Sequence, residues 1–257
     1  MPVQPWRTGK VIRIIDETPN TRRYWIEVPE LSSFDFQPGQ FVTLDLPIHE
    51  KPARRWRSYS IASWPDGSNV FELVIVLLEG GAGTTWLFNN VVVGSELTLR
   101  GPQGVFTLPD PIDRDLFFIC TGTGVAPFRS MAHHVLNNNI SHQRIYLIFG
   151  CRKFGDALYA PELKELTRNV GSFQYITTYS REEPGNYDHL VRIGYVHQVY
   201  EDICRAGSVR SADNPEQMIP PPAYFFLCGW KNMIDEAKQR IQALGYDRKS
   251  IHQELYG

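Results

Sequence analysis

The chain has 257 residues, enough for two ordinary domains that each bury their own core. Hydrophobic residues make up 42% and charged residues 21%, the composition of a folded globular protein and not of a disordered one. Lys plus Arg number 26 against 28 Asp plus Glu, a net charge of −2 without the basic excess that nucleic-acid recognition brings.

The opening Met-Pro-Val-Gln-Pro-Trp-Arg carries no apolar stretch of the signal-peptide kind, and no later run approaches the length of a membrane span. Cys120, Cys151, Cys204 and Cys228 lie far apart with no CxxC spacing, so neither a zinc site nor a cysteine-bound cluster is expected. A cytoplasmic protein with reduced thiols is the expectation.

In chain order, the first 110 residues predict strands at Lys10–Asp16, Arg22–Val28, Phe41–Leu46, Ser58–Ser63, Val70–Leu78 and Glu96–Gly101, with a helix near Thr84–Asn90. Six short strands divided by Pro-Gly, Asp-Gly and Gly-Gly turns predict a closed antiparallel barrel over residues 1–110. The Pro- and Asp-rich run Leu108–Asp115 marks a boundary. From residue 115 to 257 the pattern changes to apolar runs suited to buried parallel strands, at Leu116–Cys120, Arg144–Phe149, Phe173–Tyr179 and Tyr224–Cys228. Helical patterns separate them at Ala126–Asn137, Ala160–Asn169, around Tyr187–Ala206 and at Met233–Leu244, which predicts βαβ units and an open sheet. Ser208–Pro222 reads as a surface excursion.

The sharpest local signal is Thr121-Gly122-Thr123-Gly124-Val-Ala-Pro127, directly after a predicted buried strand and before a helix. Glycines there let backbone approach a pyrophosphate, the helix start offers free N–H groups, and Pro127 suits a first turn. A tight strand-to-helix turn with no ligand would look the same if it stood alone. A second Gly-rich turn, Gly80-Gly81-Ala-Gly83-Thr84-Thr85, also opens a short helix, and Arg57-Ser58-Tyr59-Ser60 lies in a strand of the same half. Arginine suits a phosphate by bidentate hydrogen bonds and tyrosine offers a flat face to an aromatic ring. Alone, Arg57 reads as a solvated edge charge and Tyr59 as core. Two phosphate cradles, one per half, predict two dinucleotides meeting across a cleft.

The ordered set Arg57–Ser63, Gly80-Gly-x-x-Thr84, Gly101-Pro-Gln-Gly104, Thr121–Pro127, Ser180-Arg181-Glu182, Cys228-Gly229 and Glu254-Leu-Tyr256 resembles the ferredoxin–NADP reductase family over nearly the whole chain. The resemblance implies an N-terminal six-stranded antiparallel FAD-binding barrel followed by a parallel-sheet nucleotide-binding domain. It gives Arg57 and Thr84 to the flavin pyrophosphate, with Gly81, Gly83, Thr85 and Ser58 around them. It stacks Tyr59 on the flavin ring and sets Ser60 beside N5, where hydride enters. It assigns Gly122 to Pro127 to the nicotinamide dinucleotide, and Cys228 with Gly229 to the nicotinamide. Glu254 resembles the family's active-site carboxylate and Tyr256 its terminal aromatic, although Gly257 follows here.

Ser180 and Arg181 follow the third parallel strand, where a hydroxyl and a guanidinium suit a 2′-phosphate and an acidic residue would suit the free hydroxyl of NAD. That favours NADP, with Arg192 as a second cation and Glu182 and Glu183 pulling the other way. The implied activity is NADPH-dependent reduction of FAD and onward delivery of single electrons to ferredoxin, flavodoxin or an oxygenase component. An NADH-dependent oxygenase reductase component is the alternative enzyme, and a flavin-binding scaffold with degenerate sites is the non-enzymatic one. The four positive charges in Lys51–Arg57 suit either an acidic carrier or the FAD phosphates.

Overall fold

The computed structural model describes residues 4–214, 216 and 218–255. Its first sheet is built from β1 (Arg7–Thr18), β2 (Thr21–Glu27), β3 (Phe41–Asp45), β4 (Trp56–Ser60), β5 (Val70–Val76) and β6 (Glu96–Gln103), with α1 (Ala82–Asn90) between the last two. The order is β4-β3-β6-β1-β2-β5, every pairing antiparallel. The chain leaving β4 closes the barrel: Ile61 bridges Leu73 of β5, and the Ala62 N–H donates to Glu72 O at 2.8 Å.

Period-2 alternation decides which faces are buried. In β6 Leu97 and Leu99 turn inward, and in β2 Tyr24 and Ile26 do so; with Val11, Val42, Leu44, Phe71 and Leu73 they form one apolar core. Trp56 opens β4 two residues earlier than Ser58, because Trp56 pairs with Asp45 at the far end of β3. Helix α1 begins at Ala82, two residues before Thr84.

The second sheet contains β7 (Asp115–Thr121), β8 (Ile145–Cys151), β9 (Phe173–Tyr179), β10 (Val191–Ile193), β13 (Ala223–Gly229) and β14 (Ile251–Leu255); a small hairpin, β11 (Val209–Arg210) with β12 (Met218–Ile219), occupies the surface excursion. Helices α2 (Val125–Asn137), α3 (Ala160–Asn169), α4 (Val196–Ala206) and α5 (Lys231–Ala243) alternate with the strands. All neighbours in the order β10-β9-β8-β7-β13-β14 are parallel. Two of these strands, β10 and β14, are not among the four expected. The stretch predicted as helix around Tyr187–Ala206 splits, because Val191 and Ile193 pair with β9 and a Gly194 turn precedes α4.

Contacts divide the chain into two compact units. One comprises the residues up to Leu108 together with Ala126–Ile140, and the other Pro109–Val125 with the residues from Ser141 onward. Helix α2 is therefore counted with the barrel, while the turn that leads into it is counted with the parallel sheet.

Candidate functional site

In the barrel unit the two motifs predicted to hold one cofactor come together. Arg57 of β4 lies against the first turn of α1, where a Cβ on Gly83 would stand 3.0 Å from Arg57 Cγ and 3.2 Å from its Nε. Gly81 is the N-cap with no side-chain cap, and the first helical hydrogen bond runs from the Thr85 N–H to Gly81 O at 2.9 Å. The Thr84 hydroxyl braces the turn, donating to Gly81 O at 3.2 Å and accepting from the Leu78 N–H at 3.1 Å. Arg57 donates only to the carbonyls of Arg54 (3.1 Å) and Trp56 (2.8 Å), and no carboxylate pairs with it among the described residues. A guanidinium laid on the positive end of a helix, without a counter-ion, is a site that an anion completes.

The neighbouring polar groups point the same way. Tyr59, opposite Val42 in the ladder, packs against the barrel core, yet its hydroxyl is buried with no hydrogen-bond partner among the described residues. Burial pushes its phenol pKa upward, so it stays a donor. Ser60 is buried opposite Phe41, and Ser58 is exposed, sharing a 3.1 Å hydrogen bond with Thr43. An orphaned hydroxyl beside an unpaired guanidinium fits a group bearing both a phosphate and a polar-edged aromatic ring, as FAD does.

In the sheet unit, strands are added outward from β7 through β8, β9 and β10 on one side and β13 and β14 on the other, so the order reverses between β7 and β13. In open α/β sheets that reversal is where ligands bind, outside the strands' carboxyl ends. Thr121 ends β7 there, and Gly122–Gly124, with Thr123 at its centre, forms a 3₁₀ turn running into α2, where Pro127 takes the third position. A Cβ on Gly124 would stand 2.3 Å from Cys228 O, which no side chain tolerates. The Trp230 N–H donates to Thr121 Oγ1 at 3.4 Å, and Gly229 packs on the same hydroxyl. Cys228 is fully buried, in register with Cys120 on one side and Glu254 on the other. Glu254 therefore shares a face with Cys228, while Tyr256 lies outside the described residues.

Ser180 and Arg181 follow β9; Ser180 N–H donates to Cys151 O at 3.0 Å and Arg181 N–H to Arg152 O at 2.9 Å. Arg192 of β10 stands opposite Thr178. Arg181 and Arg192 are both exposed, and neither pairs with a carboxylate among the described residues. Glu182, which argued against a phosphate, is turned away: its Oε1 accepts from the Phe154 N–H at 2.9 Å. Sequence reasoning missed Phe154, whose backbone Glu182 holds and whose ring packs edge-on to Tyr179 (4.5 Å) and Tyr187 (5.5 Å). Its signal was weak, a lone aromatic after Arg152-Lys153 past the end of β8.

Two family models match the chain, an oxidoreductase FAD-binding domain over residues 8–108 and an oxidoreductase NAD-binding domain over residues 118–239. A ferredoxin–NADP reductase B of Sorangium cellulosum (strain So ce56) is 32% identical over 249 residues, covering 96% of this chain and 96% of that one. The chain belongs to the ferredoxin–NADP reductase family. Another member of this reductase class, the glycine betaine monooxygenase reductase subunit of Pseudomonas aeruginosa (strain UCBPP-PA14), is 30% identical over 99% of this chain, which spans 66% of that subunit's length. Among solved structures, an Amycolatopsis cytochrome P450 reductase superposes with a TM-score of 0.79 at 25% identity, over 98% of this chain and 70% of that one. The chain is thus a ferredoxin reductase-type oxidoreductase with FAD-binding and NAD(P)-binding domains, and no helix among the described residues is long and apolar enough to cross a membrane.

Proposed function

We propose that this reductase takes hydride from NADPH and delivers electrons singly to ferredoxin, flavodoxin or an oxygenase component in the cytoplasm. The observation that carries this reading is Arg57 laid without a counter-ion against the uncapped start of α1, beside the orphaned Tyr59 hydroxyl. In this reading residues 1–110 form the flavin domain and residues 115–257 the nucleotide domain. Arg57 and the free N–H groups at Gly83 and Thr84 hold the FAD diphosphate. Tyr59 orients the ring by its face and donates its proton in a hydrogen bond, and Ser60 lines the reactive edge. When bound, FAD would supply the conversion of one two-electron transfer into two one-electron transfers.

The Gly122–Gly124 turn receives the nucleotide diphosphate. Cys228, fully buried, and Glu254 flank the nicotinamide and keep water from it. NADPH over NADH rests on Arg181 and Arg192, exposed and unpaired, with Glu182 engaged elsewhere. A second reading, an NADH-linked oxygenase reductase, draws on the glycine betaine monooxygenase reductase subunit and its match to 99% of this chain.

An anaerobic absorbance titration tests both. Bleaching of a yellow protein at much lower NADPH than NADH is the expected result. Equal or better bleaching by NADH moves the second reading to first place, and a protein that cannot be loaded with FAD ends both.

A further inference from the structure

Arg129 belongs to no motif, yet it is among the most deeply buried charges of the barrel unit. Its Nη1 donates to Ala62 O at 2.8 Å and to Glu72 Oε2 at 3.1 Å, with the two side chains 5% and 3% exposed. Glu72 also takes Arg23 Nε at 2.6 Å, and Arg23 reaches Glu17 at 3.3 Å. Arg129, Glu72, Arg23 and Glu17 thus alternate in charge from one ion pair to the next. The Arg129 guanidinium lies over the Trp64 ring (5.2 Å to its centre), which stacks on His133 of the same helix at 4.0 Å.

A buried ionic chain is a poor way to gain stability, since apolar side chains of similar volume usually do as well. Its geometry offers something an apolar contact cannot, a fixed register. Ala62 continues the run that holds Arg57, Tyr59 and Ser60, and its own N–H is bonded to Glu72 O. Glu72 N–H in turn donates to Ser63 Oγ at 3.0 Å. One guanidinium therefore fastens α2 to the carbonyl next to the flavin motif. At its other end α2 continues without a break from the Gly122–Gly124 turn, five residues before Arg129.

We infer that Arg129 is a positioning residue for nucleotide binding and hydride delivery, acting by fixing the helix that carries the nucleotide turn. The inference rests on the proposed reading of that turn. Its hydrogen bonds to Ala62 and Glu72 anchor α2 to residues outside both proposed cradles, so its loss is expected to spare flavin binding and to be felt on the nucleotide side. Misplacing bound reactants by about 1 Å costs on the order of a hundredfold in rate.

The test uses the full-length, FAD-loaded protein with Arg129→Met and Arg129→Lys. Four quantities are measured: flavin per chain, the NADP⁺ dissociation constant by calorimetry, the rate of hydride transfer from NADPH, and oxidation of dithionite-reduced flavin by ferricyanide. Arg129→Met is expected to keep its flavin and its ferricyanide rate while binding NADP⁺ and accepting hydride on the order of tenfold to a hundredfold less well. Arg129→Lys, which keeps the charge but loses the fork, is expected to fall between it and the wild type. Glu72→Gln supplies the same comparison if Arg129→Met fails to fold, and the same split is expected. Nucleotide binding and hydride transfer within about twofold of wild type would overturn the inference, as would flavin content falling in step with them. A wild type that neither binds NADP(H) or NAD(H) nor bleaches would instead sink the underlying reading, before any variant is compared.

Discussion

Tyr59 carries a hydrogen-bonding group into the barrel wall and leaves it unmet among the described residues. Such a group costs about 1–3 kcal/mol when nothing binds it and returns about 1 kcal/mol when something does. Tyr59→Phe should therefore act with opposite signs in two states of one protein. Freed of flavin, the variant is expected to melt at or above the wild type. Loaded with FAD, it is expected to hold the cofactor roughly five- to tenfold more weakly. Apoprotein that melts well below wild type would mean that the hydroxyl has a protein partner after all. Gly124 makes a different demand, because a Cβ there meets backbone, Cys228 O, and not a yielding side chain. Gly124→Ala is expected to cost about 1–3 kcal/mol of stability and to weaken nucleotide binding with little effect on FAD retention, read by calorimetry and by flavin absorbance per chain.

At the scale of the element, β14 lays His252 on Phe226 of β13, the rings stacked at 4.6 Å with Nε2 buried and without a partner among the described residues. Burial lowers the His252 pKa, as it does that of His134. Above the free value of about 6.5 both folded and unfolded imidazoles are neutral and nothing is at stake. As pH falls below it the unfolded chain binds the proton first, so stability present at neutral pH is lost on acidification. His252→Phe should flatten part of that loss, measured as the difference in urea stability between pH 7.5 and 5.5 for variant and wild type. Equal slopes would show that His252 does not contribute. Edge strands such as β14 were also the elements least legible in the sequence. The central strands announced themselves because burial on both faces forces unbroken apolar runs such as Leu116–Cys120. Val191–Ile193 is only three residues long and half exposed, so its β-branched pair was absorbed into a helical period. The site divided in the same way. Glycine turns and Arg57-x-Tyr59 were readable because backbone approach and phosphate geometry restrict residue type. The capping of Phe154 by Glu182 and the pairing of Arg129 with Glu72 were not, because they join residues 28 and 57 positions apart by side chains common anywhere on a surface.

For the molecule as a whole, two compact units bearing different cradles imply two separately addressable stabilities. Calorimetric melting should show FAD raising the transition of the barrel unit. NADP⁺ at a hundredfold its dissociation constant should add about 2.7 kcal/mol to whatever unit binds it. A melting profile indifferent to FAD would remove the flavin cradle from the account. The way the barrel closes has a consequence for its breathing. β2 and β5 are joined by seven register pairs, whereas the other flank of β5 meets the chain leaving β4 at the single bridge Ile61↔Leu73. Local opening follows the thinnest run of hydrogen bonds, so this seam is where the cylinder unzips. Ala62 is fully buried, yet its amide, bonded to Glu72 O across the seam, should exchange with deuterium ahead of those in β1 and β2. Tyr59 and Ser60 end the strand just before the seam, so in the proposed reading flavin acts as a clasp across it, and its binding is expected to slow that exchange.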